Sequence, residues 1–280
     1  MFKTRFSQKV AGIASVIACC LIAPAQATIV QFKTSLGDFE VNLYDETTPK
    51  TVANFLSYVN EGDYKNIVMH RSVPGFIIQG GGFYWGLDTA SATADDYKVL
   101  SYPAKASVEN EPKWSSRRGT IAMAKLGGQP DSATSQWFFN LADNQAILDN
   151  QNEGFTTFGQ VIGDGMEIVD AMAAVPIFTY ASPFGEVPLR NFSETDRNNN
   201  EPVTDSQFIL IESIEIVNAN VDTAADLTLI ENTTATSTPD NGGTDTPATG
   251  GSSSGGSANW FMVMLLMLGI TRKFAGRLNK

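Results

Sequence analysis

The chain has 280 residues, of which 42% are hydrophobic and 18% charged, enough for one good-sized globular domain with tails and no demand for a second. All 30 Asp and Glu fall between Thr28 and Ala258, where only 12 of the 19 Lys and Arg lie, so this segment carries a net charge of −18. So acidic a body argues against nucleic acid or anionic lipid as a partner, because phosphate binding depends on clustered cations.

The N-terminus places Lys3, Arg5 and Lys9 before an apolar run over 10–23 and then Ala25-Gln26-Ala27. A basic region, an apolar region and a small-x-small site describe a secretory signal peptide over 1–27, cut after Ala27. Val16-Ile17-Ala18-Cys19 also matches a bacterial lipobox, which would leave an acylated Cys19. The apolar run continues past it through Ala23, where a lipoprotein turns polar, so the cleaved signal is the reading carried forward. Both cysteines lie in this segment, which leaves the mature chain without a disulfide, thiol nucleophile or thiolate metal site.

Alternation over 28–44, broken near Ser35-Leu36-Gly37, predicts a hairpin. Thr48-Pro49 then opens a helix with Val52, Phe55, Leu56 and Val59 on one face, stopped by Gly62. Residues 68–78 predict a strand or strand pair, and 84–114 an extended loop. Residues 119–124, 137–139 and 158–162 predict three more strands, with a short helix over 167–172. An irregular stretch over 173–206 precedes a closing strand over 207–217. Many short strands with two helices point to an all-β sandwich or barrel, and the pattern alone does not choose between them.

The stretch Met69-His-Arg-Ser-Val-Pro-Gly-Phe-Ile-Ile-Gln-Gly-Gly-Gly-Phe83 sets a permanent cation, Arg71, beside apolar Phe76 and Ile77, an amide, Gln79, and three glycines. A guanidinium next to an apolar concavity can aim rigid donors at an amide of a docked chain. Taken alone, the stretch also fits a buried strand ending in a glycine turn. Two more stretches shift the weight: 132–144, Ser-Ala-Thr-Ser-Gln-Trp-Phe-Phe-Asn-Leu-Ala-Asp-Asn, and 155–161, Phe-Thr-Thr-Phe-Gly-Gln-Val. Together, over about 28–172, they resemble the cyclophilin family of peptidyl-prolyl cis-trans isomerases, most closely its bacterial exported branch.

The resemblance implies a closed eight-stranded antiparallel barrel with a helix at each end and a substrate groove on the outer wall. It implies catalytic roles for Arg71, Gln79 and Phe76, with Gln79 helping to orient the arginine. It places Ile77, Phe138 and Leu148 in the proline pocket, and Gln136, Phe155 and Ala124 along the groove. No cofactor or metal is expected. The chain departs from the common pattern at Ile77 (usually Met), Trp137 (usually Phe), Lys125 (often Asn) and Ile147, where drug-sensitive members carry Trp, so weak cyclosporin binding is expected. Segments 84–113 and 176–206 match no motif. His70, the single histidine, is read as a packed, hydrogen-bonded side chain.

Residues 218–257 turn to Thr, Ser, Asn, Asp, Gly and Pro and are read as a flexible linker. A glycine pair, Gly255-Gly256, then precedes a short apolar run over 260–270 and basic Arg272, Lys273, Arg277 and Lys280. The run is short against the ~20 residues that span a bilayer. Its order over 258–280 resembles the GlyGly-type sorting signals of Gram-negative bacteria; an uncleaved anchor is the alternative, with membrane association through this segment. The expected partners are proline-containing unfolded or partly folded polypeptides, the expected place is the periplasm or cell surface of a Gram-negative bacterium, and a monomer is expected. Two functions are carried forward: an isomerase for exported proteins, and a proline-segment binding module or holdase.

Overall fold

The computed structural model describes residues 28–87, 97–219 and 227–234. The signal-peptide and tail segments expected at 1–27 and 258–280 lie outside the described residues, as does most of the expected linker. Ile29–Thr34 (β1) and Phe39–Leu43 (β2) form the expected hairpin, with Val30 opposite Val41 and Phe32 opposite Phe39. These four side chains are buried on one face, as strand alternation requires.

Pro49–Asn60 (α1) follows, but Thr48 does not cap it: its hydroxyl donates to the Tyr44 carbonyl. The carboxylate of Glu111 takes that part instead, accepting from the Lys50 and Thr51 N–H groups at 3.2 and 2.8 Å. An anion satisfies the unpaired donors at the positive end of a helix as well as a hydroxyl does.

The remaining strands are Ile67–Val68 (β3), Arg71–Val73 (β4), Ile77–Gly80 (β5), Phe83–Leu87 (β6), Tyr97–Ser101 (β7), Thr120–Met123 (β8), Trp137–Asn140 (β9), Thr157–Ile162 (β10), Ile177–Phe178 (β11), Val187–Pro188 (β12) and Leu210–Asn218 (β13). The main sheet runs β4-β5-β9-β8-β10-β2-β1-β13-β3-β6-β7, and its pairings are antiparallel. Its first and ninth members, β4 and β3, are halves of one extended stretch parted by Met69 and His70. The Met69 N–H bonds to Ile209 on one side, and the His70 N–H to Gln79 on the other. The ladder that leaves β4 therefore returns to β3, and eight strands close on themselves with no free edge. The β6–β7 hairpin is appended to β3, so the region read as an extended loop carries two strands. Its alternation is blurred because both faces are partly apolar: Phe83 packs with one cluster and Tyr84 with the barrel core.

The barrel is filled. Phe32 meets Trp137 and Phe139 edge-on, with ring centroids 5.3 and 5.4 Å apart, and Ile78, Ile121 and Met123 close the interior. Gly165–Ala173 (α3) abuts Phe39 and Val161, at one end of β2 and β10, whereas Phe55 of α1 packs on Phe158 at the other end of β10. A helix thus covers each end, and a ligand has to bind outside.

The stretch read as irregular, 173–206, is more ordered than its composition suggests. It holds β11, β12 and a short helix, Glu194–Asn198 (α4), whose Ser193 and Asp196 form a reciprocal capping box. That box has no apolar run behind it, which is why the pattern does not stand out. Phe178, Val187, Leu189 and Phe192 pack with Val68, Phe83, Phe208 and Leu210 in a second apolar cluster against the barrel. Part of the stretch read as linker, 227–234, is also docked: Ile230 accepts from the Ser115 N–H, and buried Asn232 donates to the Asp149 carbonyl.

Candidate active site

The site follows from strand parity. Ile78, Phe139 and Ile121 on β5, β9 and β8 pair across the sheet and point into the barrel. Their neighbours Gln79, Phe138 and Ala122 must therefore point out. Register then lines them up, with Arg71 opposite Gln79, Gln79 opposite Phe138, and Phe138 opposite Ala122. A cation, an amide, an aromatic ring and a small residue form one row across four strands of the outer wall.

Beside that row lies an apolar cluster distinct from the barrel core, made of Val73, Ile77, Ala122, Phe138, Leu148 and Phe155, with Phe76 and Ala124 half-buried at its margin. Phe138 meets Phe155 edge-on at 5.7 Å. Leu148 arrives on a one-turn helix, Gln145–Leu148 (α2), too short to show in the periodicity. Phe76 is held by a tight turn: its N–H bonds to Val73, and Pro74-Gly75 occupy the middle, where Gly75 has φ +70°. The Phe76 carbonyl then accepts from the Leu141 N–H at 2.9 Å and from the Asn144 side chain at 2.8 Å.

The three glycines are a packing requirement. A Cβ on Gly80 would lie 2.9 Å from Met69 Sδ and from the Trp137 ring, and one on Gly82 would lie 2.7 Å from the Gln136 amide carbon. Their absence lets β9 come close enough for Gln79 Nε2 to donate to Gln136 Oε1 at 2.8 Å. The nine predicted site residues thus gather on one outer face: Arg71, Gln79 and Gln136 form its polar edge and Phe76, Ile77, Ala124, Phe138, Leu148 and Phe155 its apolar cluster.

A family model described as cyclophilin type peptidyl-prolyl cis-trans isomerase/CLD matches residues 29–194. The chain belongs to the cyclophilin family. Among its relatives, a peptidyl-prolyl cis-trans isomerase of Acinetobacter baylyi is 40% identical over 154 residues, covering 55% of this chain and 76% of that protein. Isomerase A of Dickeya dadantii is 36% identical over 185 residues, covering 64% and 90%. Isomerase B of Escherichia coli is 38% identical over 151 residues, covering 52% and 85%.

Two charged residues of this cyclophilin stand at the site without having been singled out as site residues. Lys125 is buried with its Nζ 4.9 Å from the centre of the Phe155 ring, donating to the carbonyls of Asn152 and Gly154. Burial pushes its ammonium down to about 8, with Glu153 and Asp131 opposing. Glu186, in the loop before β12, accepts from Arg71 Nε at 2.8 Å. Nothing local in the sequence signals this pairing, since 115 residues separate the partners.

His70 is packed, with its ring edge-on to Phe83 at 4.9 Å. The expected hydrogen bonding is reduced to one weak contact with the Val68 carbonyl, which opposes the loss of the ring's proton affinity, and neither ring nitrogen has a partner in good geometry among the described residues. Burial pushes its pKa down to about 4, with the Arg71 charge acting in the same direction. The unfolded imidazole takes up a proton near 6.5 and the folded one does not. This contribution is therefore complete above pH 6.5 and declines as pH falls toward 4, by about 3 kcal/mol. His70→Leu is expected to flatten the pH dependence of urea-unfolding stability between pH 4 and 6.5; an unchanged slope rejects this assignment.

Proposed function

We propose that this cyclophilin accelerates cis-trans exchange of X-Pro bonds in proteins folding outside the cytoplasm, with Arg71 as the polar catalyst and the Phe138 cup as the seat of the proline ring. Rotation about the amide is opposed by ~18–20 kcal/mol of lost resonance, while cis and trans X-Pro forms lie within ~1 kcal/mol. The reaction needs no nucleophile, metal or titrating base. It needs a site that favours the twisted amide, whose nitrogen has become pyramidal and can accept a hydrogen bond. The observation that carries the reading is the alignment of Arg71 and Gln79 with Phe138, beside a cup closed by Ile77, Leu148 and Phe155.

In that arrangement the cup holds the ring and excludes water, which strengthens the guanidinium contact within it. Selectivity for the twisted form is what raises turnover, since equal binding of planar and twisted amides does not. Phe76 packs the rim, and Gln79 and Gln136 supply polar contacts to the backbone on either side of the proline. Ile147, 44% exposed next to Leu148, offers no indole at the groove margin, consistent with weak cyclosporin binding. Export is supported by the basic, apolar and small-x-small order of 1–27, and display or release at the cell surface by the order of 258–280. The acidic body suits a monomer acting on unfolded chains.

The test is the cis-to-trans rate of a short X-Pro peptide with the purified protein. A rate well above the spontaneous one is expected. Peptide binding without acceleration would instead favour the holdase reading.

A further inference from the structure

We infer that Glu186 is a positioning residue for Arg71, supplied to the active site by a segment outside the three sequence motifs. The inference rests on the reading of Arg71 as the donor to the prolyl nitrogen. Glu186 Oε2 accepts from Arg71 Nε at 2.8 Å, and the guanidinium makes no other hydrogen bond or ion pair among the described residues. The bond falls on the nitrogen nearest the aliphatic stem, so it fixes the direction of the guanidinium plane. Both terminal nitrogens stay available to a substrate.

The carboxylate is itself held. The Glu186 carbonyl accepts from the Ser72 N–H at 2.8 Å, which ties its backbone to β4 directly beside Arg71. The next two residues, Val187 and Pro188, pair with Phe178 and Ile177, and Val187 and Leu189 are buried in the second apolar cluster. The segment 176–206 thus serves as a buttress whose core contacts deliver one side chain to the catalytic cation. Gln79 is expected to orient the arginine, but its Nε2 donates to Gln136 and its Oε1 accepts nothing from Arg71 among the described residues. Glu186 is therefore the side chain that restrains Arg71.

A free arginine carries ~2 kcal/mol of rotamer entropy, and ordering it before substrate arrives removes that cost from the reaction step. Loss of Glu186 is therefore read in kcat. KM changes little, because the planar prolyl peptide is held chiefly by the apolar cup.

The experiment is a double-mutant cycle on X-Pro peptide turnover. Glu186→Ala is expected to lower kcat about tenfold with KM nearly unchanged, and Glu186→Gln, whose carbonyl can still accept from Nε, to lose no more than about threefold. In an Arg71→Ala background, Glu186→Ala is expected to change the residual rate less than about twofold, because its effect passes through the arginine. Equal losses in both backgrounds, or no loss in the wild type, overturn the inference. If Glu186→Ala fails to fold, Glu186→Asp, one methylene too short to reach Nε, takes its place, and unchanged kcat overturns it equally. Unchanged turnover in Arg71→Ala alone would refute the role of Arg71. Collapse in Arg71→Ala with none in Glu186→Ala would refute only that of Glu186.

Discussion

Arg71→Ala lowers kcat/KM for an X-Pro peptide by about 10²- to 10³-fold, the usual consequence of removing a preorganised donor from a transition state. The reaction has no covalent step to fall back on, and the chain has no other cation in the row formed by Arg71, Gln79, Phe138 and Ala122. Stability should change by less than about 1 kcal/mol, since the Arg71–Glu186 pair is partly exposed and such pairs contribute little. Arg71→Lys keeps the charge but loses the planar fork and the Nε donor, so it is expected to recover only a small part of the rate. Parallel measurement of peptide exchange and urea unfolding checks both halves. Wild-type turnover in a folded Arg71→Ala protein sinks the mechanism.

The largest structural effect is expected at Gly81. Its φ of +84° lies in the left-handed region, and a Cβ there would lie 3.0 Å from Gln136 Cα and press closer still on the Ser135 carbonyl oxygen. Neither neighbour is a flexible side-chain end, and both belong to the strand entry that places Gln136, Trp137 and Phe138. Gly81→Ala should therefore cost about 3 kcal/mol or more, combining backbone strain with a displaced β9. Whatever protein remains folded should have lost turnover, because shifting β9 breaks the Gln79–Gln136 bond and moves Phe138 from the cup. Thermal unfolding with peptide turnover on the same sample decides this. A variant of ordinary stability and activity would show that the glycine triplet is not needed for strand approach.

Much of this protein was legible in the chain alone. Alternation in 28–44, the helical face Val52, Phe55 and Val59, and the tight turn at Pro74-Gly75 marked the hairpin, α1 and the β4–β5 turn. These are short-range signals, written by parity and by turn residues such as Pro74-Gly75. The nine proposed site residues came from the resemblance that the three sequence motifs carry, and parity and register account for their gathering on one face. Barrel closure was not readable from pattern and came from the resemblance. In the molecule it depends on one stretch, Ile67 to Val73, pairing with β13 through one half and with β5 through the other. Other features escaped because their partners are distant: Glu111 caps a helix about 60 residues upstream, and Asn232 ties a presumed linker to Asp149. The β6–β7 hairpin escaped because apolar groups on both its faces hide the alternation. The sequence by itself determined which apolar residues can gather beside a cation. Only the tertiary structure decided that a carboxylate 115 residues away would hold that cation, because long-range pairing depends on how two separately folded segments meet and leaves no local trace.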